Sequence, residues 1–185
     1  GVPGWPLIPA SVRIVLGVLA LWLAWLAVVQ ARILGINFLL SVLTLVWVAD
    51  IFAYFAGRAF GLRFTRNKLA PSISPGKSWE GVWGGLAGVL CLAVAWVAAD
   101  RYFQADVASF YTRLYSAGWW FLAIAVVFMV AMSVAGDLVE SLIKRSAGVK
   151  DSSGLLPGHG GVLDRVDALL PTLPLALMLT RLISV

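Results

Sequence analysis

Long uncharged runs dominate this chain and restrict it to folds that need no water on the backbone. Ile14 to Ala31 is one such run, with Arg13 at its edge. Ile33 to about Gly57 is a second, interrupted by Asp50, and Gly81 to Ala99 and Leu114 to Ala135 are two more. A weaker fifth, Ala168 to Val185, holds Pro171, Pro174 and Arg181. Each is near the ~20 apolar residues that a membrane-crossing helix needs. Lipid offers no partner to backbone N–H and C=O groups, so such runs must become helices that satisfy themselves. Composition agrees: 61% of residues are hydrophobic and 12% charged, against roughly 25% charged in a soluble domain. The expected fold is all-α, a polytopic transmembrane helix bundle of about five to six spans. Residues 1–185 would form a single membrane-embedded domain with no room for a second globular one. The lone Cys91 lies mid-span, which leaves no disulfide framework or thiolate metal site to expect.

Loop charges orient the spans. The formal charge is +5, and much of it falls between Asp50 and Glu80, where Arg58, Arg63, Arg66, Lys68 and Lys77 occur with no acid. By the bias of basic loops toward the cytoplasm, that connection faces inward. The 100–113 connection balances Asp100 and Asp106 against Arg101 and Arg113, and is expected on the other side. The polar 137–167 block then returns to the cytoplasmic face, where nucleotides are.

Three polar clusters interrupt the apolar pattern. Asp50, Tyr54, Gly57 and Arg58 recur at helical spacing and fall on one stripe. An acid at that depth is either one half of a neighbour pair with Arg58 or the wall of a polar cavity. The second cluster, Ser72 to Gly81, contains Gly76-Lys77-Ser78. A phosphate-cradling loop of the nucleotide-hydrolase type needs a glycine five residues before Gly76, where Pro71 stands. What is left is a proline-fixed basic turn entering a helix, a structural corner or an anion contact. Glu80 would sit in the first helical turn, where an acid suits the dipole. Gly81, Gly84, Gly85 and Gly88 follow as a small-residue stripe for close helix packing, within one chain or between two copies.

The third cluster is the densest. Asp137, Glu140, Ser141 and Lys144 share one helical face. A Gly/Ser loop carrying Arg145, Lys150, Asp151 and His159 follows, and a helix is expected to resume near Val162 with Asp164, Arg165 and Asp167. Gly158, Gly160 and Gly161 would present free N–H groups to an anion at that helix start. Asp137 and Asp164, brought together by the hairpin, could share a magnesium ion, which prefers a few carboxylates plus waters and phosphates. His159 fits a phosphate or carboxylate contact better than a metal bond. Cations, acids and exposed N–H groups together suit phosphate and a divalent metal.

The stretch Ser141-x2-Lys144-Arg145-x4-Lys150-Asp151-x-Ser153-x2-Leu156-Pro157-x-His159-Gly160-Gly161-Val162-x-Asp164-Arg165-Val166-Asp167 resembles the signature of the phosphatidate cytidylyltransferases, or CDP-diacylglycerol synthases, with no departure at a fixed position. Asp50-x2-Ala53-Tyr54-x2-Gly57-Arg58 and Ser74-Pro75-x-Lys77-Ser78-Trp79-Glu80-Gly81 resemble the same family. Members are usually longer, so the chain is expected to correspond to the C-terminal part of a longer one. The resemblance implies transfer of CMP from CTP to phosphatidic acid, giving CDP-diacylglycerol and pyrophosphate with magnesium, at a bacterial inner membrane with the site toward the cytoplasm. It implies Asp137 and Asp164 as magnesium ligands with Asp151 and Asp167 beside them. Lys144, Arg145, Lys150 and Arg165 would hold phosphates, with Ser74, Lys77, Ser78, Gly160 and Gly161 contributing further contacts. Asp50 would complete the cavity, and Arg58 would meet a headgroup. The partners implied are CTP, phosphatidic acid and the bilayer, with no nucleic acid. Two other readings compete: an ion-coupled transporter using Asp50 and Asp137, and a CTP-dependent kinase of an isoprenoid alcohol, which would need a base such as His159.

Overall fold

The computed structural model describes residues 8–65, 67–155 and 161–183. The helices α1 (Ala10–Leu34) and α2 (Ile36–Phe60) follow one another directly, with Gly35 as the corner. That corner needs a φ of +134°, and a Cβ there would meet the Val107 side chain at 2.6 Å, so glycine is required on both counts. After α2 the chain makes a two-stranded antiparallel ribbon, β1 (Lys68–Ala70) and β2 (Ser74–Ser78), and enters α3 (Trp79–Tyr102) without a break. The short α4 (Phe110–Ser116) precedes the long α5 (Trp119–Ser146). A single turn, α6 (Leu163–Val166), then leads into α7 (Leu169–Ile183).

The helix bundle is the one the uncharged runs predict, with corrections at its edges. Among the described residues four helices, α1, α2, α3 and α5, are long and apolar enough to cross a membrane. The fifth apolar run forms α7, whose 15 residues extend about 22 Å, short of a ~30 Å hydrocarbon core. The run predicted from Leu114 splits in two, because Ser109 caps α4 through Thr112 N–H and Gly118, at φ +117°, separates α4 from α5. The corner expected at Ser74–Ser78 is a strand, and the ribbon is the one departure from an all-helical chain among the described residues.

Packing follows the small residues. The α2–α3 pair is the closest: a Cβ at Gly81 would lie 2.9 Å from Ala53 O, and one at Gly85 would lie 2.8 Å from Ala49 O. Gly84 and Gly88 face Ala56 and the Phe52 ring with no room for a methyl group. The glycine stripe therefore packs within the chain. The core lies where α2, α3, α4 and α5 meet, around Phe38, Leu45, Val89, Tyr111 and Met129. Large apolar side chains also point outward; Trp25 and Phe55 are each 64% exposed. A surface of that kind suits lipid rather than water.

A polar clasp closes one end of the bundle. Asn37 Nδ2 donates to Asp100 Oδ1 and to Val107 O, both at 2.8 Å, and Trp96 Nε1 donates to Asn37 Oδ1 at 2.9 Å. Asp100 also accepts from Thr112 Oγ1 at 2.6 Å and from Ser109 N at 3.0 Å. With its polar groups paired, this end ties the start of α2 to the end of α3. The opposite end, where α2 and α5 finish and α3 begins, carries the three clusters.

Candidate active site

The second half of α2, the ribbon, the start of α3 and the middle of α5 line a cavity of about 400 Å³. Asp50, Tyr54, Gly57 and Arg58 line it from α2, Lys77 and Ser78 from β2, and Asp137 from α5. Its inner wall is apolar, with Val82, Val130 and Val134. The helical stripe on α2 therefore does face a cavity. Arg58 Nη1 donates to Tyr54 Oη at 3.0 Å, one turn away, and among the described residues it forms no ion pair with Asp50.

Lys77 forms an ion pair with Asp137 across this cavity, linking β2 to α5. Ser78 is the N-cap of α3: its Oγ accepts from Gly81 N–H at 3.2 Å, satisfying one of the orphan donors of the first turn. Ser78 is buried, so its hydroxyl serves the helix start first. Glu80 does more than complement a dipole. Its Oε1 accepts from Phe64 N at 3.1 Å, Thr65 N at 2.7 Å and Thr65 Oγ1 at 2.8 Å. One buried carboxylate thus anchors the turn after α2 to the first turn of α3 and fixes the ribbon that carries Lys77.

A second polar knot lies beside the cavity. The Lys144 ammonium sits between Glu140 Oε2 at 2.5 Å and Asp164 Oδ1 at 2.7 Å. Asp164 accepts in addition from Ser152 N at 3.0 Å, Ser152 Oγ at 3.0 Å and Gly161 N at 2.7 Å. It therefore ties together two points of the loop between α5 and α6. Gly161 is needed there, because a Cβ would run into the Ser152 hydroxyl and stand 2.9 Å from Ser153 N. Burial alone would raise the Asp164 carboxyl. The Lys144 ammonium and the Gly161 and Ser152 N–H groups outweigh it and hold the group well below the usual carboxylate range.

Asp167 directly follows α6. Burial pushes its carboxyl up; the N–H of Ala168, bonded at 2.7 Å, pulls it down; the Asp137 charge raises it again. The Asp137 charge also acts on Asp50, and both Asp50 and Asp167 feel the Lys77 ammonium that pairs with Asp137. α5 aligns Asp137, Glu140, Ser141 and Lys144 as its periodicity predicts, and Ser141 Oγ donates to Asp137 Oδ1 at 3.3 Å.

The remaining predicted residues are spread wider. Arg145 is exposed, and its Nε donates to Ile73 O in the ribbon turn at 3.4 Å. Ser74 is half-buried at the start of β2, and Lys150 and Asp151 are exposed on the loop after α5. The Gly161 N–H expected to meet an anion is engaged by Asp164. His159, Gly160 and the side chain of Arg165 lie outside the described residues. Two participants escaped prediction as site residues, Glu140 and Ser152. The Glu140–Lys144 spacing of four carried a signal for the first; nothing local marked the second. Among the described residues no three His, Cys, Asp or Glu side chains form a ready-made metal cage.

Comparison with known proteins places this architecture. Residues 8–183 match the model of the cytidylyltransferase family, and the chain belongs to that family. A phosphatidate cytidylyltransferase of Haemophilus influenzae is 51% identical over 140 residues, covering 76% of this chain and 44% of the relative. One of Pseudomonas aeruginosa is 46% identical over 164 residues, covering 88% and 55%. One of Thermotoga maritima is 40% identical over 146 residues, covering 78% and 49%. The chain thus spans about half the length of the curated relatives it matches.

Proposed function

We propose that this chain carries the nucleotidyl-transfer site of a phosphatidate cytidylyltransferase. The reaction joins CTP and phosphatidic acid: a lipid phosphate oxygen bonds to the α-phosphorus of CTP, the bond from that phosphorus to the β-phosphate oxygen breaks, and pyrophosphate leaves. The observation that carries the reading is the cavity at one end of the bundle, apolar within and rimmed by Asp50, Arg58, Lys77 and Asp137. It has the chemistry to hold phosphates at the edge of an apolar phase, and it is built from stretches that resemble the family's motifs.

A phosphomonoester is already largely ionised near neutral pH, so the site needs no strong base. Its task is to hold two polyanions together and in line. Lys77 and Arg58 are the cavity cations available for phosphate, and Lys77 would exchange Asp137 for it. Lys144, Arg145, Lys150 and Arg165 would supply positive charge for the phosphates, and His159 and Gly160, at the expected helix start, would contact a phosphate. Magnesium is favoured by the donor set, because Asp137 lies on the cavity amid the repelling charges of Asp50 and Asp167, and magnesium needs one or two carboxylates plus phosphates rather than a cage. When bound it would supply neutralisation of phosphate charge. Asp137 is the ligand offered directly; Asp164 would join it by giving up Lys144.

The bilayer in question is a bacterial inner membrane, with the cavity toward the cytoplasm, supported by the run of basic residues from Arg58 to Lys77. The closely packed glycine stripe leaves a dimer to other surfaces. The test is pyrophosphate release by the purified protein in mixed micelles with magnesium, phosphatidic acid and each of the four NTPs. Release that requires both CTP and phosphatidic acid supports the reading, and release indifferent to the lipid contradicts it.

A further inference from the structure

The Lys144 ammonium already occupies Asp164 as a cation would. Two carboxylates share it, Glu140 at 2.5 Å and Asp164 at 2.7 Å. All three side chains are largely enclosed, with 7% of Glu140, 17% of Lys144 and 10% of Asp164 exposed. Two acids thus compete for one ammonium in a nearly closed place. Asp164 is otherwise fully engaged, through Ser152 and Gly161. Among the described residues the ammonium is its one cationic partner, on a side chain long enough to turn away.

Glu140 determines where that ammonium can go. It lies four residues before Lys144 on α5, so the pair closes on one helix face without any backbone movement. Among the described residues Lys144 is its sole ion-pair partner. A buried carboxylate of this kind needs the ammonium, and equally gives the ammonium a place to stay when Asp164 turns to another cation.

We propose that Glu140 is a positioning residue, which retains the Lys144 ammonium on α5 so that Asp164 can exchange it for a divalent cation. The inference rests on the reading of Asp164 as a magnesium ligand. Glu140 acts here through Lys144. Without Glu140, Lys144 depends on Asp164 alone, and a metal must displace it with no alternative partner on offer.

The test is Mn²⁺ binding to the purified full chain in detergent, without nucleotide or lipid, followed by loss of the free-ion electron paramagnetic resonance signal. Glu140→Gln is expected to raise the Mn²⁺ Kd on the order of fivefold, with Glu140→Asp close to wild type. Lys144→Met, which removes the competing ammonium, is expected to lower the Kd. In the Lys144→Met background the Glu140→Gln effect should vanish, since neighbours acting through one another are not additive. An unchanged Kd in Glu140→Gln, or an equal rise in both backgrounds, overturns the proposal while leaving Asp164 as a ligand. Asp164→Asn separates the two ideas: if it binds Mn²⁺ as wild type does, the ligand reading fails and takes the proposal with it. If Glu140→Gln does not fold, Lys144→Met decides, because an unchanged or raised Kd there contradicts exchange at Asp164.

Discussion

Lys77 and Asp137 meet across the cavity from positions sixty residues apart in the chain, and an entering phosphate would compete for that contact. Lys77→Met should lower kcat/KM for pyrophosphate release on the order of 10²-fold, the loss expected when one preorganised charge is removed from a developing anion. A smaller effect than Arg58→Met would shift the main phosphate contact to α2. Asp164 makes a separate, pH-dependent prediction. Its carboxyl titrates below the unfolded value, so its interactions stabilise the fold above pH ~4 and are lost as pH falls through the depressed value. The wild-type advantage in thermal stability over Asp164→Asn should therefore shrink below pH ~4, as read by unfolding scans from pH 6 to 3. Asp167, held above its ordinary value, contributes with the opposite sign, costing stability as pH rises. At this scale the polar residues themselves were legible, because charge beside lipid is conspicuous. Their partners were not: that Asp164 would engage Ser152, Gly161 and Lys144 depends on how the loop after α5 returns, which no local pattern encodes.

The glycine stripe on α3 and the apolar face of α2 fit as one unit. Gly84→Leu should lower the melting temperature in detergent by several degrees, since overpacking costs about 1–3 kcal/mol or more. Gly17→Leu on α1, where a side chain would meet nothing within 4 Å, should leave it unchanged. Equal effects would contradict the α2–α3 contact. Spans were readable from uncharged runs, while their ends were not. α5 continues through Lys144 to Ser146, because cations at a helix C-terminus oppose neither the dipole nor the interface. The ribbon was missed because Ser74-Pro75-Gly76-Lys77-Ser78 contains two residues that disfavour strands. Tertiary placement overrides that preference, with Glu80 fixing the turn on one side and Arg145 reaching Ile73 on the other.

Across the whole molecule, the polar clasp of Asn37 and Asp100 and the cavity of Lys77 and Asp137 lie at opposite ends of the bundle. In a Cys91→Ser background, a Lys68→Cys variant should react with an impermeant maleimide only from the cytoplasmic side, and Asp106→Cys only from the other. Labelling of both from one side would contradict the orientation. The most direct measurement follows the phosphorus atoms. With CTP labelled at the α- or the γ-phosphate, α-label should move onto phosphatidic acid while γ-label leaves as pyrophosphate. Transfer of γ-label to a lipid, with the α-label left on CDP, would make the protein a kinase and contradict nucleotidyl transfer.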